Sequence, residues 1–460
     1  MNGDDVRSYL ESQAGQVTWR PELVAAAATT AARVRGRRRT VAAATSVVLV
    51  TALVGIVGGM VARSTPGSGP GKFTGTAQQQ GAMAHGRAGA VWAWGYGGLG
   101  QLGVSVKRDG TTLSAVPLPV VGLTGVTAIA SLGYTGYALR SDGTVWAWGS
   151  GAEGELGNGK PTYRQVATSS VPYRSAVPVR VVGLTGVIGI AAGGDTGYAL
   201  RSDGTVWAWG YGGSGGLGNG GTVGSAVPVR VSGLTGVTAI AGGGGSGPPV
   251  TRDGTGTGYA LRSDGTVWAW GWGKYGQLGN GGASNSSVPV RVSGLTGVTA
   301  IAGGGDTAYA LRSDGTVWAW GYGDVGVLGN GGTANSPVPV RVSDLTGVTA
   351  IAAGGLSGYA LRSDGTVWAW GGELGNGGSK NSAIPVRVPG LTGVTAIAGG
   401  AVNGYALRSN GTVWAWGWEH YGQVGNGSTA DRTVPPAQVS GLNGVTAIAA
   451  GVWTAYAVRP

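Results

Sequence analysis

The chain of 460 residues carries 31 Lys and Arg against 20 Asp and Glu, a formal charge of +11, with no cysteine and only two histidines, His85 and His420. A disulfide framework, thiolate metal sites, a multi-histidine zinc centre and a histidine-based catalytic set are thereby excluded, so no enzyme activity, catalytic residue, metal or cofactor is expected. The basic residues are spread along the sequence rather than gathered, and nucleic acid is not an expected partner.

In chain order, residues 1–39 form a cytoplasmic tail that ends in the run Arg33, Arg35, Arg37, Arg38 and Arg39. Residues 40–62 hold 23 positions without a charge. At ~1.5 Å per residue a helix of that length reaches roughly 35 Å, enough to cross a bilayer core. The arginine excess on its N-terminal side predicts a single-pass cell-membrane protein, with everything after Arg63 extracytoplasmic. A cleaved signal peptide is the competing reading. The long leader, the long apolar run and the lack of an A-x-A site in "GMVARS" favour an uncleaved transmembrane helix. Residues 63–87 are small and polar, a flexible linker.

From about residue 88 the sequence repeats. Gly and Pro together make about a quarter of the chain, the level of low-complexity sequence. Yet 18 Trp and 16 Tyr recur in register, so the glycines read as turns of a folded array. "VWAWG" begins at Val91, Val145, Val206, Val267, Val317, Val367 and Val413, and "GYAL"- and "GVTAIA"-like segments also occur seven times. "GVTAIA", "YALR" and "TVWAW" are strand candidates, with "VPVRV" a weaker fourth, and Asp-Gly between the second and third predicts a tight hairpin. The array opens on "AVWAWG" without its "YALRSDG" and ends on "AYAVRP" without its "VWAWG". Pairing these half-hairpins would leave no edge in the ring. The expectation is an all-β fold: a seven-bladed β-propeller over 88–460, of repeats of about 50 residues, closed by its N- and C-terminal strands.

The succession "GVTAIAGGG.TAYALRSDGTVWAWG.G..GQLGNG" resembles the regulator-of-chromosome-condensation repeat over residues 88–460. That resemblance implies seven blades with the half-hairpin closure. In its "GV.AIAGG" and "AWG" strands the chain also resembles a bacterial, secreted propeller that inhibits β-lactamases and binds its enzyme through one face of the ring. The founder's guanine-nucleotide exchange role fits poorly with an extracytoplasmic propeller, and the His common before the founder's "AL" strand is replaced here by "DTGYAL" or "DTAYAL".

Other motifs dissolve into the repeat. "GYGGSG" at 210–215 matches a dinucleotide fingerprint but lacks the following helix, and "GELGNGKP" at 154–161 has Pro161 where a phosphate loop needs Ser or Thr. Asp142, Asp203, Asp264, Asp314 and Asp364 fall one per blade, and Asn410 replaces the acid in another copy, which is turn chemistry. Arg140, Arg201, Arg262, Arg312, Arg362, Arg408 and Arg459 read as local partners of carboxylates or carbonyls, with a seven-fold ring attracting anionic polymers as the alternative.

A four-stranded meander sends its first and third connections to one face. There the copies differ and aromatics collect: Tyr96, Tyr211, Trp272, Tyr275, Tyr322, Trp418, His420 and Tyr421 after "AWG", and Tyr134 and Trp453 after "AIA". Tyr and Trp on a rigid ring are frequent anchors of protein interfaces. Two longer excursions, 160–175 and 244–256, belong to the same face. The expected function is capture of a protein, such as a secreted or cell-surface enzyme, with a cell-wall glycan as the alternative partner.

Overall fold

The computed structural model describes residues 88–104, 113–160, 162–166, 169–244, 256–372, 374–376 and 381–460. The expected tail, span and linker over 1–87, and most of the 244–256 excursion, lie outside the described residues. Among the described residues no helix is long and apolar enough to cross a membrane.

Within the repeat region each blade is a four-stranded antiparallel meander, and the weak fourth strand is real in every copy. The fourth blade shows the pattern with strands Val298–Gly303, Thr307–Arg312, Val317–Gly321 and Ser336–Arg341. The first strand of each blade touches the first strand of the next all the way round, so these strands line the centre of a closed ring. The outer strand carries a proline in each copy (Pro178, Pro228, Pro289 and so on), which removes ladder donors from the edge left open to solvent.

The seventh blade is assembled from both ends of the repeat region. Ala90–Tyr96 lies between Leu113–Pro119 and Thr454–Arg459, with Val91 opposite Val458 and Trp94 opposite Ala455. The closure expected from the split hairpin is therefore present.

The two tryptophans of "VWAW" do different work. The second, Trp94, Trp148, Trp209, Trp270, Trp320, Trp370 or Trp416, is fully buried between blades. Each meets edge-on a tyrosine of the preceding blade, as Trp320 meets Tyr259 at 6.1 Å and 78°. In six of the seven pairs the two side chains also share an acceptor, the exception being the pair of Trp416, whose indole N–H has none. The Gln277 carbonyl takes the Tyr259 hydroxyl (3.1 Å) and the Trp320 indole N–H (2.8 Å), and the Glu155 carbonyl does the same for Tyr137 and Trp209. Both lone pairs of one backbone oxygen are thus filled from two blades, which satisfies three buried polar groups at once.

The loop after "AWG" laces one blade to the next. Gly220, Gly281 and Gly331 donate to Ser287, Pro337 and Ala383 on the following outer strand. Nearer the centre, a Cβ on Gly304 would run into the Gly354 carbonyl, and one on Gly133 into the Gly194 carbonyl. Only glycine lets the "AIAGGG" segments approach this closely.

On the opposite face the Asp-Gly turns are plain. Asp314 Oδ1 accepts both the backbone N–H and the hydroxyl of Thr316, and Asn410 does the same for Thr412. The Thr316 hydrogen bonds hold the Asp314 carboxyl below its ordinary pKa, with a smaller contribution from Arg312. The preceding arginine is tied down as expected: Arg312 Nε donates to the Thr296 carbonyl and its Nη1 lies 3.6 Å from Asp314.

Candidate functional site

The variable face is built on pinned backbone. Tyr96, Tyr211, Tyr322 and Trp418 each donate their amide to the loop that follows the first strand, for example Tyr96 to Trp453 (2.8 Å) and Tyr322 to Asp306 (2.9 Å). The neighbouring strand grips the carbonyl of the same residue. Thr454 Oγ1 donates to Tyr96, Thr307 Oγ1 to Tyr322, and Asn403 Nδ2 to Trp418. The aromatic positions are therefore fixed at both N–H and C=O before any side-chain contact is made.

All ten aromatic and imidazole side chains expected at the site are half-buried, neither core nor fully exposed. Six of them form one continuous cluster from three successive blades. Trp453 sits at its centre, with ring centroids 4.9 Å from Tyr421, 5.7 Å from Tyr96 and 6.1 Å from Tyr134. Tyr96 and Tyr421 are 5.2 Å apart. Tyr421 extends the cluster to His420 at 4.5 Å, and His420 lies parallel to Trp418 at 5.3 Å. The Trp418 indole N–H donates to Asp431 Oδ1 (2.9 Å), and His420 Nδ1 lies 3.6 Å from Asp431 Oδ2.

The other four stand apart. Tyr275 and Tyr322 pair across the third and fourth blades at 5.1 Å. Trp272 lies under the Lys274 ammonium at 5.9 Å, and the Tyr211 ring folds over Gly213, where a Cβ would strike its hydroxyl. In the 160–175 excursion, Tyr163–Val166 and Ser169–Pro172 form a two-stranded hairpin. Tyr163 is exposed and Tyr173 packs against the interface of the first and second blades.

Burial and neighbouring groups tune the cluster. The Tyr134 hydroxyl is pushed well above the ordinary tyrosine range by burial, and further by Tyr96, Asp195 and Tyr421. Tyr421 is raised by burial, then by Tyr96 and Asp431. Both hydroxyls stay protonated, so the platform presents neutral rings with donors.

Beneath this face lies a set of buried polar side chains that sequence reasoning missed. Gln277 Nε2 donates to Asp306 Oδ1 at 3.0 Å across the third and fourth blades. At the first and second blades the matching position is an acid, Glu155, close to Asp195. Burial, and then Asp195, push the Glu155 carboxyl up to about 8. The signal in the sequence is the single change from "GQLGNG" to "GELGNG". Among the described residues no group of three or more His, Cys, Asp or Glu could hold a metal. The "GYGGSG" segment forms a 3₁₀ turn, Gly213–Gly215, in place of a phosphate-binding helix.

Comparison with known proteins fits this architecture. The chain matches the regulator of chromosome condensation (RCC1) repeat over 142–200, 203–246, 264–311, 314–361, 364–407 and 410–458. It is 32% identical over 218 residues to the human E3 ubiquitin-protein ligase HERC2, covering 46% of this chain and 4% of that protein. It is 30% identical over 208 residues to the Arabidopsis thaliana ultraviolet-B receptor UVR8, covering 45% of this chain and 42% of the receptor. This chain thus spans well under two thirds of these relatives. Among solved structures, yeast Prp20p superposes with a TM-score of 0.67 at 21% identity, over 83% of this chain and 94% of that one. Human WBSCR16 does so with a TM-score of 0.69 at 23% identity, over 81% and 100%. At these identities the structural likeness establishes the seven-bladed fold alone.

Proposed function

The chain belongs to the regulator of chromosome condensation repeat family, and from that premise we propose that it is a non-enzymatic scaffold that captures a protein partner on its aromatic loop face. The observation that carries this reading is the contiguous platform of Tyr134, Trp453, Tyr96, Tyr421, His420 and Trp418. Large aromatic side chains held half-buried on pinned backbone lose little freedom on binding, and that is what makes Tyr and Trp effective anchors. The platform also sits where the seven copies stop agreeing, whereas the plain turns of the other face are nearly identical. Prp20p, a structural neighbour, was described together with its binding to Gsp1p and histones.

The same reading has residues 40–62 hold the propeller at a membrane, with the platform on the extracytoplasmic side. Its support is the uncharged run and the arginines before it. Protease added to intact cells should then digest the propeller.

The platform is tested by proximity labelling from the full chain, followed by pull-down of the labelled partner. Trp453→Ala combined with Tyr421→Ala should abolish capture, while the thermal midpoint shifts by only a few degrees. Tyr275→Ala with Tyr322→Ala, on the same face but outside the platform, should retain it. Capture unchanged in the first variant overturns the assignment. Retention of a polysaccharide in place of a protein would change the class of partner.

A further inference from the structure

Arginines that fall one or two per repeat in the sequence are gathered in space. The arginine before each Asp-Gly turn and the arginine that ends the outer strand lie at the same end of the blade. In the second blade Arg230 stands opposite Trp207, two strands from Arg201, and both act on the Asp203 carboxyl. A period of about 50 residues that looks like dilution along the chain becomes concentration on one rim.

The charge count of this face is lopsided. It carries the seven turn arginines and the outer-strand residues Arg180, Arg230, Arg291, Arg341 and Arg387, against the five turn aspartates and Asp344. Among the described residues it holds no lysine, and the other described residues of 88–460 are close to neutral, with five basic and seven acidic residues. The excess positive charge of the propeller therefore resides on the face opposite the aromatic platform.

The two sets of arginine differ in availability. Five of the seven turn arginines are engaged: Arg140, Arg201, Arg262 and Arg312 donate to a threonine carbonyl and lie 3.4–3.7 Å from their own aspartates, and Arg408 Nη2 donates to the Gly390 carbonyl. The five outer-strand arginines are exposed. They occupy five consecutive blades, so they describe an arc around the rim rather than a line. Leu184, Leu234, Leu295 and Leu345 of the adjoining "LTG" turns are buried, and only Val121 and Val182 of these turns are exposed, one aliphatic side chain each and too few for insertion into a bilayer.

We propose that this arginine rim binds a flexible phosphodiester polymer that follows the arc from Arg180 to Arg387. Guanidinium groups form forked hydrogen bonds with phosphate oxygens, and arginine is the residue suited to repeated contacts of this kind. A stiff duplex meets the arc only along a chord, whereas a flexible chain can touch all five groups in turn. The rim is independent of the aromatic platform, and both can be occupied together.

The test uses the full detergent-solubilised chain with Arg33, Arg35, Arg37, Arg38 and Arg39 changed to Gln, which silences the other arginine cluster. Binding of a labelled 40-residue thymidine oligonucleotide is followed by anisotropy across 50–200 mM salt. Five neutralised phosphates on a single strand predict a log–log salt slope of about −3.5, roughly a 100-fold weakening over that range. Adding R180Q, R230Q, R291Q, R341Q and R387Q should remove binding with circular dichroism unchanged, because all five side chains are exposed. W453A with Y421A should leave it intact. Equal affinity for a glycerol-phosphate polymer of matched length assigns the contact to the phosphodiester alone; preference for the oligonucleotide assigns the source to nucleic acid. Affinity unchanged in the five-fold variant, tighter binding of a 20-base-pair duplex, or binding only to phosphatidylglycerol vesicles overturns the proposal.

Discussion

Glu155 occupies a position where the third blade has Gln277, and both face an aspartate of the next blade. The Gln277 amide donates to Asp306 without titrating. A carboxyl can make an equivalent donation only while it keeps its proton. Burial and the neighbouring Asp195 favour that protonated form, whereas Ser150 and the Glu153 amide, which donate to the carboxyl, favour the ionised form and only partly offset them. With its pKa raised from 4.5 to about 8, the folded protein holds a proton that the unfolded chain has released. Stability therefore falls as pH rises through that window and stops falling above it. Glu419, raised to about 6 by burial, adds a loss of the same sign at lower pH. Urea unfolding between pH 6.5 and 8 reads Glu155 by difference, since the buried Asp306, also raised, is common to both proteins: the wild type should lose more stability across this interval than Glu155→Gln. Parallel curves would show that Glu155 is already ionised at pH 6.5. A second residue-scale expectation concerns the shared carbonyl of Gln277. Trp320→Phe keeps the ring against Tyr259 but removes one donor, for a cost of about 1 kcal/mol. Trp320→Ala also leaves a void and should cost about 3–5 kcal/mol, read from the denaturant midpoint.

Among the elements, the turn between the outer strand and the next blade carries a local conflict. Its second residue is glycine in most copies, as at Gly233 and Gly294 with φ near 70°, but Asp344 holds the same place in the fourth blade at φ 52°. A side chain there is strained, though Asp tolerates it better than most. Asp344→Gly should raise the unfolding free energy by about 0.5–1 kcal/mol, measured by denaturant titration; a loss would show that its carboxylate makes a contact worth more than the strain. The strands and their hairpins were legible because each depends on neighbours in sequence: "TVWAW" alternates, Asp-Gly turns, and Asn410 substitutes where only a turn acceptor is needed. The closing sheet was legible too, since each half-hairpin announces its missing partner. The acid pair of Glu155 and Asp195 was not. It joins two loops from different blades, and no period in the sequence places one against the other.

For the whole molecule, the same periodicity that made the fold readable concealed its polarity. Reading charge along the chain treats Arg180 and Arg387 as distant, while the ring sets them on one rim. The aromatic platform was half-legible: Tyr96 and Trp453 could be brought together from closure alone. That Tyr275 and Tyr322 form a separate pair, and that Trp272 lies under Lys274 outside the platform, depends on loop paths that vary from copy to copy.

The seam between Ala90–Tyr96 and Thr454–Arg459 also sets an order of events. Tyr96 and Thr454 are 358 residues apart, so joining them costs about 1.7 kcal/mol more loop entropy than closing a 50-residue repeat. On loop entropy this sheet is expected to assemble last and to part first, which hydrogen exchange of the Ala90–Tyr96 amides against those of the other blades would read. Tyr96, Trp453 and Tyr421 straddle it, so a partner seated on all three acts as a clasp. Occupancy of the platform and integrity of the ring are then one linked equilibrium, in which a bound partner slows opening and an opened ring releases its partner.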